Sequence, residues 1–151
     1  MIPPMRLVLD TNIWIDWLVF DDPSIASLKA AHSDGRISIV VNEACLAELK
    51  AVLAYPQFRL DDVQKRNHLA EVDRCSTRHD DQRRGGRTAL PRCDDPDDQK
   101  FLEIARDTQA DWLITKDKAL LRIRRNKLEA TGFRIGTPEH WAAALESVIP
   151  W

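Results

Sequence analysis

Short apolar runs alternate with amphipathic stretches along most of this 151-residue chain. Four of the runs have the length and composition of strands that are buried on both faces: Leu7–Leu9, Ile37–Val41, Trp112–Ile114 and Phe133–Ile135. Strands that alternate with helices predict a parallel sheet with right-handed crossovers. We therefore expect an α/β fold, a three-layer α/β/α sandwich with a central, mostly parallel sheet, formed as a single domain over residues 1–151.

The segments between these runs carry apolar residues at helical spacing. They predict helices that begin at Thr11 or Asn12, after Pro23 and at residue 43, and three more over Asp98–Gln109, Asp117–Leu121 and Pro138–Val148. Residues 61–73 show a weaker helical pattern. Residues 76–92 are polar and include two adjacent glycines, so we predict a flexible or irregular loop there.

The net charge of −2 conceals an uneven distribution of charged residues. Four of the five residues 94–98 are acidic, whereas residues 116–134 contain seven basic residues against two acidic ones. An acidic centre beside a basic surface suits a polyanionic substrate. The three cysteines match no zinc-binding pattern, and no apolar run is long enough to cross a membrane. These features favour free thiols and a cytoplasmic location.

Four acidic residues lie at element boundaries, where a parallel sheet would bring them together: Asp10, Glu48, Asp98 and Asp117. Several ionised carboxylates at close range require a cation between them, and ligation by oxygen alone suits Mg²⁺ or Mn²⁺. Such a site is suited to phosphodiester hydrolysis, with either one ion or two. The alternative is that Asp98 and Asp117 only cap helices. Glu48 differs, because its apolar neighbours make an unpaired carboxylate costly.

Four segments in this order resemble the PIN domain family of metal-dependent ribonucleases: VLDTNIWI (8–15), ACLAELKAVL (44–53), DPDDQKFLEIA (95–105) and LITKDKALL (113–121). The tail RIGTPEHWAAAL (134–145) is similar to the last strand and helix of that family. The branch that the chain resembles most contains toxins of toxin–antitoxin pairs. The resemblance covers nearly the whole chain outside about residues 56–92.

The resemblance implies roles for individual residues. The four acids match the metal-binding and catalytic acids of the family, and the metal is Mg²⁺ or Mn²⁺. Asn12 and Thr115 match supporting residues that orient those acids. Asp95, one helical turn before Asp98, would share the ion. A cognate antitoxin and a homodimer are partners that the resemblance also implies.

A basic stretch follows Asp117 and would bind phosphates beside the cleaved bond: Arg122, Arg124, Arg125 and Lys127. A solvated helix surface is the equally weighted alternative. The sequence as a whole predicts a ribonuclease that acts on single-stranded RNA. The competing hypotheses are a catalytically silent PIN-like module that binds RNA or protein, and a phosphomonoesterase with Asp10 as nucleophile. The last is least favoured, because Asn12 stands where such enzymes usually carry a second acid.

Overall fold

The computed structural model describes residues 3–80 and 89–148. In this part of the chain five parallel strands form one sheet in the order β3-β2-β1-β4-β5. The strands are β1 Met5–Leu9, β2 Ile37–Val41, β3 Ser76–Arg78, β4 Trp112–Ile114 and β5 Arg134–Gly136. In the register, Leu7 of β1 lies opposite Ile39 of β2 and Trp112 of β4. The predicted α/β class is confirmed, and the sheet is entirely parallel.

Helices connect these strands and cover both faces of the sheet. They are α1 Thr11–Ile15, α2 Ala26–Ser33, α3 Glu43–Leu53, α4 Asp62–Cys75, α5 Gln99–Asp107, α6 Lys118–Leu121 and α7 Pro138–Val148. A π-helical segment, Asp16–Phe20, continues α1, and 3-10 turns at Pro23–Ile25 and Pro96–Asp98 lead into α2 and α5. Side-chain caps fix where several helices begin. For example, the amide oxygen of Asn42 accepts a hydrogen bond from the Cys45 N–H at 2.9 Å and starts α3.

Alternate residues of β1 face two separate apolar layers, as the pleat of a strand requires. Leu7 and Leu9 pack with the helices α1, α2, α3 and α7 on one face. Val8 packs with α5 and α6 on the other. A helix on each face is the usual cover of a parallel sheet, because both faces must be kept from water.

Two sequence-based expectations need correction. Residues 76–78 were expected to be irregular, but they form the edge strand β3, which pairs with β2 through Ile39 and Ser76. The sequence Ser-Thr-Arg gives no apolar signal because this edge strand is largely exposed. Asp98 ends the 3-10 turn before α5 and does not begin the α-helix itself. Residues 81–88 of the expected loop lie outside the described residues, and 89–92 form neither helix nor strand.

The three cysteines, Cys45, Cys75 and Cys93, are free and buried in the core layers. In the ranges that the structure describes, every helix is too short or too polar to cross a lipid bilayer.

Candidate metal centre

The ends of β1 and β4 bring three of the predicted site residues together. Beyond the last residue of β1, the N–H of Asp10 donates to the carbonyl of Ile114 at 3.0 Å, so the pairing of the two strands extends to Asp10. One residue further along the other strand, Thr115 is fully buried, and its N–H donates to the carbonyl of Gly136 at 2.9 Å. Asp10, Thr115 and Asp117 therefore lie at the carboxyl edge of the sheet, where ligands of open α/β sheets bind.

Asp10 is held on both of its carboxylate oxygens. Oδ1 accepts a hydrogen bond from the Thr11 N–H at 2.6 Å, and Oδ2 accepts one from the Thr115 hydroxyl at 2.7 Å. Only 3% of the residue is exposed. Burial raises the pKa of Asp10 from 3.8 to about 6, against the lowering effect of these hydrogen bonds, and the nearby charges of Asp117 and Glu48 add to the rise. Such a site favours a proton or a metal cation.

Asp117 and Asp98 differ in how their carboxylates are used. Asp117 caps α6, because its Oδ1 accepts a hydrogen bond from the Ala119 N–H at 2.8 Å. Asp98 precedes α5 but caps nothing with its side chain, and its buried Oδ2 has no hydrogen-bond partner. Burial, the close Asp117 carboxyl and the charge of Asp10 raise the pKa of Asp98 well above its usual range. Helix capping therefore accounts for part of the role of Asp117 and for none of that of Asp98.

Three acids are close enough to share one ion. Within residues 3–80 and 89–148, Asp95, Asp98 and Asp117 each offer a carboxylate oxygen, and these three atoms lie within 4.8 Å of one another. All the donors are carboxylate oxygens, and one of the three residues, Asp98, has a buried oxygen without a hydrogen-bond partner. A hard divalent cation such as Mg²⁺ or Mn²⁺ fits this donor set. Asp10 adjoins the group, because the Thr115 hydroxyl donates to Asp10 Oδ2 and accepts from the Asp117 N–H.

Glu48 projects from α3 and has a different environment from the other acids. Its Oε1 lies 2.6 Å from Nζ of Lys100, and its Oε2 accepts a hydrogen bond from the Thr11 hydroxyl. About a quarter of each side chain in this ion pair is exposed (25% for Lys100 and 26% for Glu48). Glu48 is therefore neutralised by a cation that the protein itself supplies.

Of the two supporting residues predicted from the sequence, the structure brings only Thr115 into contact with the acids. Its Oγ1 donates to Asp10 and accepts from the Asp117 N–H at 2.9 Å. Asn12 is exposed, and no hydrogen bond joins its side chain to the four acids in the described part of the chain. Sequence reasoning missed Thr11 and Lys100. Both are close in sequence to a predicted acid, but their contact is with Glu48, far along the chain, and no local pattern reveals it.

The predicted basic residues are exposed and divide between two cavities. Arg122, Arg124 and Lys127 line a cavity of about 150 Å³ together with Arg92, which sequence reasoning did not single out. Arg122 also lies 3.9 Å from Asp94 of the acidic segment. Arg125 lines a larger cavity of about 660 Å³ beside Trp112 and His140. The first cavity therefore holds most of the basic charge near the acids.

Comparison with known proteins shows the family to which this chain belongs. The sequence model of the PIN domain family matches residues 6–119, and this chain belongs to that family. Members of the family are generally metal-dependent nucleases. None of the curated proteins matches the sequence. Among solved structures, the PIN domain of RRP44 from T. brucei is 12% identical, with 95% of this chain and 82% of that chain covered and a TM-score of 0.44. A likeness at that level supports no conclusion about activity.

Proposed function

We propose that this protein is a Mg²⁺- or Mn²⁺-dependent ribonuclease that hydrolyses phosphodiester bonds of single-stranded RNA. The observation that supports this most directly is the Oδ2 atom of Asp98, which is buried and unpartnered beside other carboxylates. A buried carboxylate oxygen without a partner is costly unless a cation binds it. The presence of such an oxygen among like charges therefore favours an ion at this position over a purely structural cluster.

The chain's own groups hold the acids in fixed orientations. Asp10 is fixed by Thr115 and by the Thr11 N–H, while Asp117 is fixed by the Ala119 N–H. Asp98 and Asp95 complete the proposed ligand set, and Glu48, which pairs with Lys100, is the fifth acid of the proposed site. A bound Mg²⁺ or Mn²⁺ supplies an activated water and stabilises negative charge on the phosphate. Carboxylates that are already held in these orientations need little rearrangement to receive the ion.

The exposed basic residues provide a binding surface for the substrate. Arg122, Arg124 and Lys127, together with Arg92, surround one cavity, and Asp94 of the acidic segment lines the same cavity. Contacts of this kind with phosphates position an RNA strand without reading its sequence. We propose the same role for Arg125, on the adjoining surface. Strong dependence of binding on salt is expected, because cationic contacts to phosphates release counterions.

The sequence resemblance supports a more specific proposal, that the protein is the toxin of a toxin–antitoxin pair. Its cognate antitoxin, a second copy of the chain and single-stranded RNA are the proposed partners, and the cytoplasm is the proposed location. The exposed aromatic side chains of Phe20 (59%) and Tyr55 (47%) offer apolar surface for a protein partner.

The test is cleavage of an end-labelled single-stranded RNA by purified protein with Mg²⁺, Mn²⁺ or EDTA. We expect metal-dependent cleavage by the wild type and at least a hundredfold loss in Asp10→Asn and Asp98→Asn, because each removes one carboxylate charge without changing side-chain size. The matched control is Asp97→Asn, since Asp97 lies beside Asp98 but is exposed. Cleavage by the control should stay within about threefold of the wild type.

Equal cleavage by all four proteins would indicate a contaminating nuclease and remove the support for catalysis. An absence of both cleavage and metal binding would favour a silent binding module. Expression of the wild type and of Asp98→Asn in a bacterial host tests the toxin proposal through its effect on growth. There the wild type should stop growth, and Asp98→Asn should not.

A further inference from the structure

Lys100 places a positive charge within the acidic site. Its Nζ lies 2.6 Å from Glu48 Oε1 and donates to the backbone carbonyl of Asp97 at 2.7 Å. The ammonium therefore joins α3 to the 3-10 turn that carries Asp98. An ammonium held by two oxygens, one of them charged, is fixed in position more firmly than a surface lysine.

Both oxygens of Glu48 are already engaged. Oε1 pairs with Lys100 and Oε2 accepts from the Thr11 hydroxyl, while the acids that can share an ion are Asp95, Asp98 and Asp117. Glu48 and Asp10 are nevertheless close, because Thr11 bonds both: its N–H donates to Asp10 Oδ1 and its hydroxyl donates to Glu48 Oε2. A divalent ion placed between Glu48 and Asp10 would meet the ammonium of Lys100 at short range and be repelled by it.

We propose that Lys100 takes the place of a second divalent cation, so that the site binds one metal ion and Glu48 does not coordinate it. This inference rests on the proposed metal site and assigns Glu48 a role other than the metal ligand expected from the sequence. Lys100 and Glu48 form a neutral pair at one side of the centre. The other side, at Asp95, Asp98 and Asp117, takes the ion.

The test counts bound Mn²⁺ by the loss of the free-ion electron paramagnetic resonance signal during titration of metal-free protein. The wild type should bind one Mn²⁺. Lys100→Met, which removes the charge and keeps an apolar stem, should bind two, because Glu48 then has no cation beside it. The double variant Glu48→Gln with Lys100→Met should return to one, with a dissociation constant within about fivefold of the wild type.

Two further variants separate charge from structure. Lys100→Arg keeps the charge and should bind one Mn²⁺. Lys50→Met makes the same lysine-to-methionine change as Lys100→Met, but at an exposed position of α3, and this variant should also bind one Mn²⁺. Thermal melting followed by circular dichroism checks that each variant is folded. If Lys100→Met does not fold, the double variant, which restores neutrality, decides the question.

The proposal is overturned if the wild type binds two ions, if Lys100→Met binds one, or if the double variant binds any number other than one or binds its ion more than fivefold more weakly than the wild type. Binding of one ion by a wild type that cleaves no RNA would leave this inference standing and refute the proposed function. A wild type that binds no Mn²⁺ refutes both.

Discussion

The hydroxyl of Thr115 joins the two acids that stand at the ends of neighbouring strands. It donates to Asp10 Oδ2 at 2.7 Å and accepts from the Asp117 N–H at 2.9 Å. The residue has 0% exposure, so bulk water does not reach its hydroxyl. One side chain thus fixes both the orientation of a carboxylate and the start of the turn that presents the next one.

Replacement of Thr115 by valine keeps the shape of the side chain and removes both hydrogen bonds. We expect Thr115→Val to lower the free energy of unfolding by about 1–3 kcal/mol, because it leaves the buried Asp10 Oδ2 and the half-buried Asp117 N–H without their hydroxyl partner. Mn²⁺ binding should weaken about 10- to 100-fold, as is usual when a residue that orients a metal ligand is lost. Urea denaturation and Mn²⁺ titration measure the two effects. Thr115→Ser keeps the hydroxyl and is the control, and a valine variant that matches the serine variant would contradict this role.

At the scale of elements, β5 requires a glycine at position 136, where the strand packs closely against β4 and α7. A Cβ atom on Gly136 would lie 2.7 Å from Cζ3 of Trp112 in β4 and 3.0 Å from Cβ of His140 in α7. The Trp112 ring is largely buried, at 8% exposure, and the His140 Cβ is held by the helix backbone. Glycine is therefore required here by close packing of β5 against β4 and α7.

We expect Gly136→Ala to destabilise the fold by about 1–3 kcal/mol, the usual cost of overpacking. For a domain of this size the melting temperature should fall by about 2–4 °C for each kcal/mol. A calorimetric melt measures the change. In a Trp112→Leu background the same alanine should cost less, because the nearest colliding atom is gone. An equal loss in both backgrounds would show that contact with Trp112 is not the cause.

The elements differ in how well the sequence predicts them. The bounds of β2, β4 and α7 agree with the sequence-based expectation, because mostly apolar runs or a strong helical pattern mark them. Strand β3 was missed because Ser76–Arg78 is polar and mostly exposed, and its strand conformation comes from pairing with β2. The π-helical segment Asp16–Phe20 was also missed, since its apolar spacing fits an α-helix equally well.

The candidate site shows the same division. Asp10, Asp98 and Asp117 were singled out as candidates because each stands at an element boundary, where parallel topology predicts convergence. The pairing of Lys100 with Glu48 was not found, because it joins residues of α3 and α5 that are 52 positions apart in the sequence. A contact of that kind depends on how two helices pack, which charge patterns within one helix do not indicate.

At the scale of the whole molecule, the acidic centre affects stability as well as chemistry. The pKa of Asp10 is about 6 in the folded protein and 3.8 in the reference state, which corresponds to about 3 kcal/mol. The folded state therefore binds the proton more tightly than the unfolded state. Since the proton stabilises the fold, this stability is fully present below pH 3.8 and is lost as the pH rises through about 6.

In EDTA, we expect the contribution of the acidic centre to stability to decrease from about pH 4 to pH 7. Asp98→Asn should reduce this decrease, because the pKa of the Asp98 carboxyl is also raised. The same variant should raise the melting temperature of the metal-free protein at pH 7.5 by several degrees, because it removes a buried negative charge. Added Mn²⁺ should stabilise the wild type more at pH 7.5 than at pH 5, since the ligands must be deprotonated. Differential scanning fluorimetry across pH measures these effects.

The control for this comparison is the exposed Asp97→Asn, which should melt like the wild type at each pH. If the melting temperature of the wild type in EDTA does not change with pH, the buried carboxylates do not destabilise the metal-free fold. An Asp98→Asn variant less stable than the wild type would lead to the same conclusion.

The order of strands in the sheet has a consequence for the chain while it is being synthesised. The central strand β1 is made early, but β4, which places Thr115 and Asp117 beside Asp10, begins only at Trp112. Contacts between such distant segments form late, because a long loop must first close. A nascent polypeptide that ends before Asp117 therefore has separate carboxylates and no centre. Under the proposed function, a growing chain does not cut the RNA of the ribosome that makes it until the segment through Asp117 has emerged and folded.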